Sequence, residues 1–180
     1  MNARFNTRAY LIASAIGSVV FIVFGLVQLA VTYVTLAGAG DIAADPSKAQ
    51  SYLLVSGAIT VVSCLCAGLV NIGTGAFYGG WVGRAGLAAP DEGALGGAAS
   101  TATAQIVSGL VQAGIGMVVT PMIMQQVGSQ FGGGLTPEML GVNMASSVVG
   151  SLFGICIGVV IGALMGALGG VIGTLITRRR

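Results

Sequence analysis

The stretch from residue 150 to residue 170, GSLFGICIGVVIGALMGALGG, decides the fold. It contains no charged residue and is long enough to cross a hydrocarbon core of roughly 30 Å as a helix. Glycine recurs in it at every fourth position, a spacing that lets two helix backbones approach closely in lipid. The helix-packing residues that we expect here, and in an earlier apolar segment, are Gly150, Gly154, Gly158, Gly162, Gly166, Gly170, Gly75 and Gly79.

The glycine series does not stay on one face of its helix. Each step of four residues turns an α-helix by about 400°, so the series drifts by about 40° per step. The outer glycines, such as Gly150, and the inner ones, such as Gly170, then lie on nearly opposite faces. We therefore expect this helix to be held on two sides, by the second helix of the chain and by a helix outside the chain or a bound lipid.

The composition extends the membrane prediction to the whole chain of 180 residues. Only 7 Lys+Arg and 5 Asp+Glu are present, or 7% charged, where a soluble domain has about 25%. Four long charge-free stretches predict an all-α integral membrane protein with transmembrane helices at about 9–37, 52–83, 98–125 and 144–176. The first stretch is about twice as long as the apolar part of a signal peptide, so we expect it to remain as a helix.

The basic residues predict the orientation. Arg4, Arg8, Arg84 and the arginines at 178–180 fall on one side of the membrane, whereas Lys48 is alone on the other. Because basic residues collect on the cytoplasmic side, both termini should be cytoplasmic. We expect the membrane to be a plasma membrane of the bacterial type.

Two halves of the chain share landmarks in the same order. Residues 25–28, Gly-Leu-Val-Gln, recur at 109–112, and Gly-Gly-x-x-Gly at 79–83 recurs at 169–173. Short matches also arise by chance in a glycine- and valine-rich sequence, but their shared order favours duplication. The chain then consists of two tandem helical hairpins, 1–88 and 89–180, which are parallel repeats about an axis along the membrane normal.

Four amide side chains inside the predicted spans form a possible intramembrane polar site: Gln28, Asn71, Gln105 and Gln112. Gln105 and Gln112 are seven residues apart with Ser108 between them, so these three share one helix face. An unpaired amide in hydrocarbon costs several kcal/mol, which requires a partner for each one. The amides either bond helix to helix, for instance Gln28 to Gln112, or line a site for a small neutral solute or a ligand head group.

Other site chemistry finds little support. The sequence has no histidine, which excludes Ser-His and Cys-His catalysis, and no ionisable residue lies in the middle of a span, as pumps usually require. Cys64, Cys66 and Cys156 read as small buried apolar residues and not as metal ligands. We therefore expect no catalytic residues, no metal and no specific cofactor, although a glycine face is compatible with a bound lipid, quinone or pigment.

These features favour a non-enzymatic accessory or structural subunit that packs through small-residue helix faces in a larger membrane complex. Its expected partners are membrane lipids and other transmembrane subunits or a second copy of the chain, and not nucleic acid. The alternative function is a channel or facilitator for a small neutral or lipophilic solute, with a path past Gln28, Asn71 and Gln112.

Overall fold

The computed structural model describes residues 6–37, 48–84, 89–130 and 137–178. These residues form four α-helices: α1 (Thr7–Ala37), α2 (Lys48–Arg84), α3 (Pro90–Gln130) and α4 (Pro137–Arg178). Each helix contains a segment that is long and apolar enough to cross a membrane: Thr7–Val34, Leu54–Arg84, Pro90–Met122 and Val149–Thr177. The chain is therefore an all-helical integral membrane protein. Arg4, Arg179 and Arg180, which the orientation prediction uses, lie outside the described residues.

The helices extend beyond the spans that hydropathy predicts. α3 and α4 begin at Pro90 and Pro137, before the expected starts at 98 and 144. Proline suits the first position of a helix, and α3 also has acidic side chains in its first turn, where the helix dipole favours them. Charge counting locates the apolar crossing, whereas backbone hydrogen bonding continues through the polar residues at its ends.

Successive helices run in opposite directions across the bundle. A Cβ built on Gly17 of α1 would lie 3.0 Å from Thr74 of α2, and one built on Gly96 of α3 would meet the ring of Tyr78 in α2. α4 packs most extensively against α3 and α2, and α1 packs mainly against α3. Among the described residues α1 and α4 have almost no contact with each other, so α2 and α3 form the centre of the bundle. We call the end where α1 and α3 begin the basal end, and the opposite end the distal end.

The interior of the bundle is small and polar, while the outside is large and apolar. Phe153 and Leu69 are 66% and 68% exposed, whereas Ser100 is completely buried. Most buried hydroxyls bond to carbonyl oxygens one turn back in their own helix, as Ser18 does to Ser14 at 2.8 Å, although the Ser14 hydroxyl has no partner among the described residues. Because lipid solvates Leu and Phe as well as a protein core does, this arrangement is the stable one in a bilayer.

The basal half is held by backbone contacts between glycines. A methyl group on Gly75 of α2 or on Gly97 of α3 would overlap the carbonyl oxygen of Gly166 in α4. One turn further along α4, a methyl group on Gly79 of α2 or on Gly93 of α3 would likewise overlap the carbonyl oxygen of Gly170. We call this set of six glycines on three helices the glycine clamp: Gly75, Gly79, Gly93, Gly97, Gly166 and Gly170.

The distal glycines of α4 are not packed in this way. A Cβ on Gly158 would approach only Gln105, at 3.6 Å, and one on Gly150 or Gly154 would have no described atom within 4 Å. The inner glycines are held on two sides at one depth by α2 and α3 of the same chain, and the expected contact of the outer glycines with a helix outside the chain or a lipid stays a prediction. The angular drift of the glycine series could not predict that α3 is a second neighbour, because the drift describes α4 alone and not the helices around it.

The glycine clamp predicts that two similar substitutions in α4 will differ in effect. Gly166→Leu places a side chain against backbone atoms of both α2 and α3, which cannot move away as a side chain can. Overpacking of this kind costs about 1–3 kcal/mol, so we expect a lower free energy of unfolding in detergent and a lower yield of folded protein. Gly154→Leu enters open space and should unfold like the wild type. Equal unfolding free energies for the two variants would contradict the clamp.

Candidate functional site

A pair of amides lies where α2, α3 and α4 meet. Asn71 of α2 is only 3% exposed, and its Oδ1 accepts a hydrogen bond of 3.2 Å from Nε2 of Gln105 in α3. α4 contributes Gly162 at this point, where a Cβ would lie 3.1 Å from Gln105 Cγ and 3.2 Å from Asn71 Oδ1. The missing side chain of Gly162 therefore makes room for the two amides to satisfy each other within the bundle.

The bundle is closely packed on the basal side of this pair. Tyr78 and Ala104 are buried there, and the ring of Tyr78 packs directly against Gly96. The hydroxyl of Thr101 lies 2.9 Å from the carbonyl oxygens of both Gly162 in α4 and Gly97 in its own helix, so its single proton is shared between a contact within α3 and one to α4. The basal half is thus filled by small side chains, one aromatic ring and the glycine clamp.

A cavity of about 350 Å³ lies on the distal side of the amide pair. α1, α3 and α4 form its walls, with leucines of α1 and Ile155 of α4 as apolar parts. Its polar lining consists of Gln105, Ser108, Gln112 and Ser151. We call this space the distal cavity. Its described lining residues are all uncharged, so the groups that they present are hydrogen-bonding and apolar ones.

The orientation of the Gln112 amide is fixed by a backbone group. Its Nε2 donates to the carbonyl oxygen of Phe21 in α1 at 3.1 Å, and the amide packs on Gly25, where a Cβ would overlap it. A backbone carbonyl can only accept a hydrogen bond, so the nitrogen must face Phe21. The Gln112 oxygen is then an acceptor, and no hydrogen bond among the described residues uses it.

Gln28 does not join this site. It donates instead to the hydroxyl of Ser63 in α2, so the predicted bond between Gln28 and Gln112 is wrong. The reason is register: Gln112 lies beside Gly25 of α1 and not beside Gln28, although the sequence repeat aligns the two glutamines. The structure thus brings together Asn71, Gln105 and Gln112 and leaves Gln28 in a separate contact.

Sequence reasoning missed two other parts of the site. Ser151 lines the distal cavity, but a lone serine among apolar residues gives no signal that distinguishes it from a lipid-facing one. The carbonyl of Phe21 is a backbone group, which no residue type reveals. Gly25 did carry a signal, since it belongs to the repeated Gly-Leu-Val-Gln landmark.

The cysteines take no part in the distal cavity. Cys64 and Cys156 are exposed on the outside of the bundle and Cys66 is half-buried, so the expectation that all three are buried is wrong for two of them. Hydropathy does not separate lipid-facing from buried positions when both are apolar. In the part of the chain that the structure describes, no group of three His, Cys, Asp or Glu residues could hold a metal ion.

Comparison with protein-family models, with curated proteins and with solved structures finds no match for this chain. Its function is therefore argued from its own residues.

The amide pair predicts energetic coupling between α2 and α3. Asn71→Leu and Gln105→Leu each leave the other amide without its partner, so the double variant should be less destabilised than the sum of the two. Interhelical hydrogen bonds measured in this way average about 0.6 kcal/mol and reach about 1.7, and we expect a coupling energy in that range. Combining Asn71→Leu with Gln28→Leu is the control, and those effects should add. Additive effects of Asn71→Leu and Gln105→Leu would show that the hydrogen bond between the two amides contributes nothing to the free energy of unfolding.

Proposed function

We propose that the chain is a non-enzymatic accessory subunit that packs against transmembrane helices of a larger membrane complex. One observation carries this proposal: the glycine clamp of the basal half is in close contact, whereas several glycines in the distal halves of α3 and α4 face open space. A Cβ on Gly114, Gly116 or Gly150 would have no described atom within 4 Å. Glycine costs helix stability, and where open glycines line a groove between two helices, as Gly114 and Gly116 do, a partner helix would use the close approach that they permit.

The distal halves of α3 and α4 also form a shallow groove of about 270 Å³. Leu110, Met117 and Leu152 line its rims, and its small residues are Ala113, Gly114, Gly116, Thr120 and Ser151. We call this the α3–α4 groove. Large side chains gain little by exchanging lipid for protein, but a partner helix here could reach the backbone of α3. A transmembrane helix of another subunit is the occupant that fits this surface.

The charge distribution supports a cytoplasmic basal end. Arg8 and Arg84 both belong to that end, and the positive-inside rule assigns it to the cytoplasmic side, which in our proposal is that of a bacterial-type plasma membrane. A reporter that is active only outside the cytoplasm should therefore be inactive when fused after Arg180. The same reporter placed in the segment between α1 and α2 should be active. The opposite pattern would reverse the orientation.

The contacts between parallel helices support the tandem-repeat proposal. Gly75 and Gly79 of α2 lie beside Gly166 and Gly170 of α4, within one residue of the spacing at which the sequence repeats. Two helical hairpins, 1–88 and 89–180, related by an axis along the membrane normal would bring such positions to equal depth. The packing of the two hairpins differs, since α3 and α4 contact each other far more than α1 and α2 do. We infer that a duplicated hairpin has diverged.

A facilitator for a small neutral or lipophilic solute is the second candidate, and the distal cavity is the observation that favours it. The cavity ends at the Asn71–Gln105 pair, and the glycine clamp closes the bundle beyond it. Passage of a solute would require α4 to separate from both α2 and α3. The subunit proposal needs no such movement and so ranks first.

Purification in mild detergent followed by native mass spectrometry tests the subunit proposal. We expect foreign subunits in fixed stoichiometry with the chain. Gly114→Leu should release them and leave this chain folded, because the new side chain fills the α3–α4 groove. Gly57→Leu is the matched control: it also enters open space, on α2, and should retain the partners. A chain that purifies alone and makes liposomes permeable to glycerol would instead favour the facilitator.

A further inference from the structure

The distal cavity has the size and position of a ligand site that adjoins the α3–α4 groove and shares Ala113, Ser151 and Ile155 with it. Its volume of about 350 Å³ falls in the usual range for small-molecule pockets. It begins at Gln105, where the amide pair ends, and extends toward the distal end between α1 and α4. Since α1 and α4 have almost no contact among the described residues, the cavity is open to the surroundings between these two helices.

Two side chains of the distal cavity, Gln112 and Ser108, each have an oxygen that is left to accept a hydrogen bond. The Gln112 amide gives a proton to the Phe21 carbonyl, which leaves its oxygen without a described donor. The Ser108 hydroxyl donates to the carbonyl oxygen of Gln105 at 3.2 Å, so its own oxygen is left to accept. An acceptor in hydrocarbon without a donor is costly, and a ligand that donates a hydrogen bond would remove this cost.

The remaining lining restricts the class of donor. Among the described residues of the cavity none carries a charge that would compensate a buried ammonium group. Leu26, Leu29 and Ile155 provide an apolar wall beside the polar face of α3. A hydroxyl group on an apolar body satisfies both features.

We propose that the distal cavity binds an uncharged amphiphile that carries a hydroxyl group, with Gln112 and Ser108 accepting its hydrogen bond. This assignment goes beyond the subunit proposal and does not depend on the identity of a partner.

Photolabelling tests this site with a defined probe, an octanol that carries a diazirine. The full chain, with whatever partners it purifies with, is placed in phosphatidylcholine nanodiscs and irradiated, and adducts are mapped by mass spectrometry. We expect saturable labelling of peptides that line the cavity. An excess of 1-octanol should compete, whereas octyl methyl ether, which has the chain but no donor, should compete about three- to tenfold less well.

Variants distinguish labelling in the distal cavity from labelling by probe dissolved in the bulk bilayer. Gln112→Leu should weaken labelling by about three- to tenfold, and Gln28→Leu, which removes an amide outside the cavity, should not. Gly154→Leu should abolish labelling by filling the cavity, and it decides the matter if Gln112→Leu fails to fold. Labelling that does not saturate, that survives Gly154→Leu, or that alcohol and ether inhibit equally would overturn the assignment.

Discussion

The contact between the carbonyl oxygens of Gly166 and Gly170 and the glycines of α2 and α3 is the interaction on which the rest of the bundle depends. In water a core of Leu and Phe would hold four helices together, but in a bilayer those side chains gain as much from lipid. What remains is van der Waals contact at short range and hydrogen bonding between helices. The glycine clamp supplies the van der Waals contact, and the bonds from Gln105 to Asn71 and from Gln112 to the Phe21 carbonyl supply hydrogen bonding between helices.

One residue type has three different roles along α4. At Gly166 it permits backbone contact, at Gly162 it leaves room for the Asn71–Gln105 pair, and at Gly154 it forms part of a cavity wall. The regular spacing in the sequence does not indicate these different roles, because each role depends on which residues lie opposite the glycine. Close to the basal end the neighbours are glycines, in the middle they are amides, and further on there is open space.

Sequence reasoning captured what depends on a single helix. Charge-free stretches predicted four spans, and the spacing of Gln105 and Gln112 placed both on the face that lines the distal cavity. It failed where the answer depends on how one helix sits against another. Gln28 was given the wrong partner because a shift of about one helical turn between α1 and α3 places Gln112 beside Gly25. The periodicity of a sequence does not indicate how far α1 is shifted along α3. It also does not indicate that α3 is the second neighbour of α4.

The closed basal half also affects what the distal cavity and the α3–α4 groove can do together. A gate made of side chains can open by rotation about χ angles, but the clamp is made of backbone, so opening it requires α4 to move as a whole. The distal cavity is then a dead end in this arrangement, which suits retention of a ligand better than its passage. Ala113, Ser151 and Ile155 line both this cavity and the α3–α4 groove. A ligand between α1 and α4 and a partner helix in the groove would therefore contact the same three residues from opposite sides of α3 and α4.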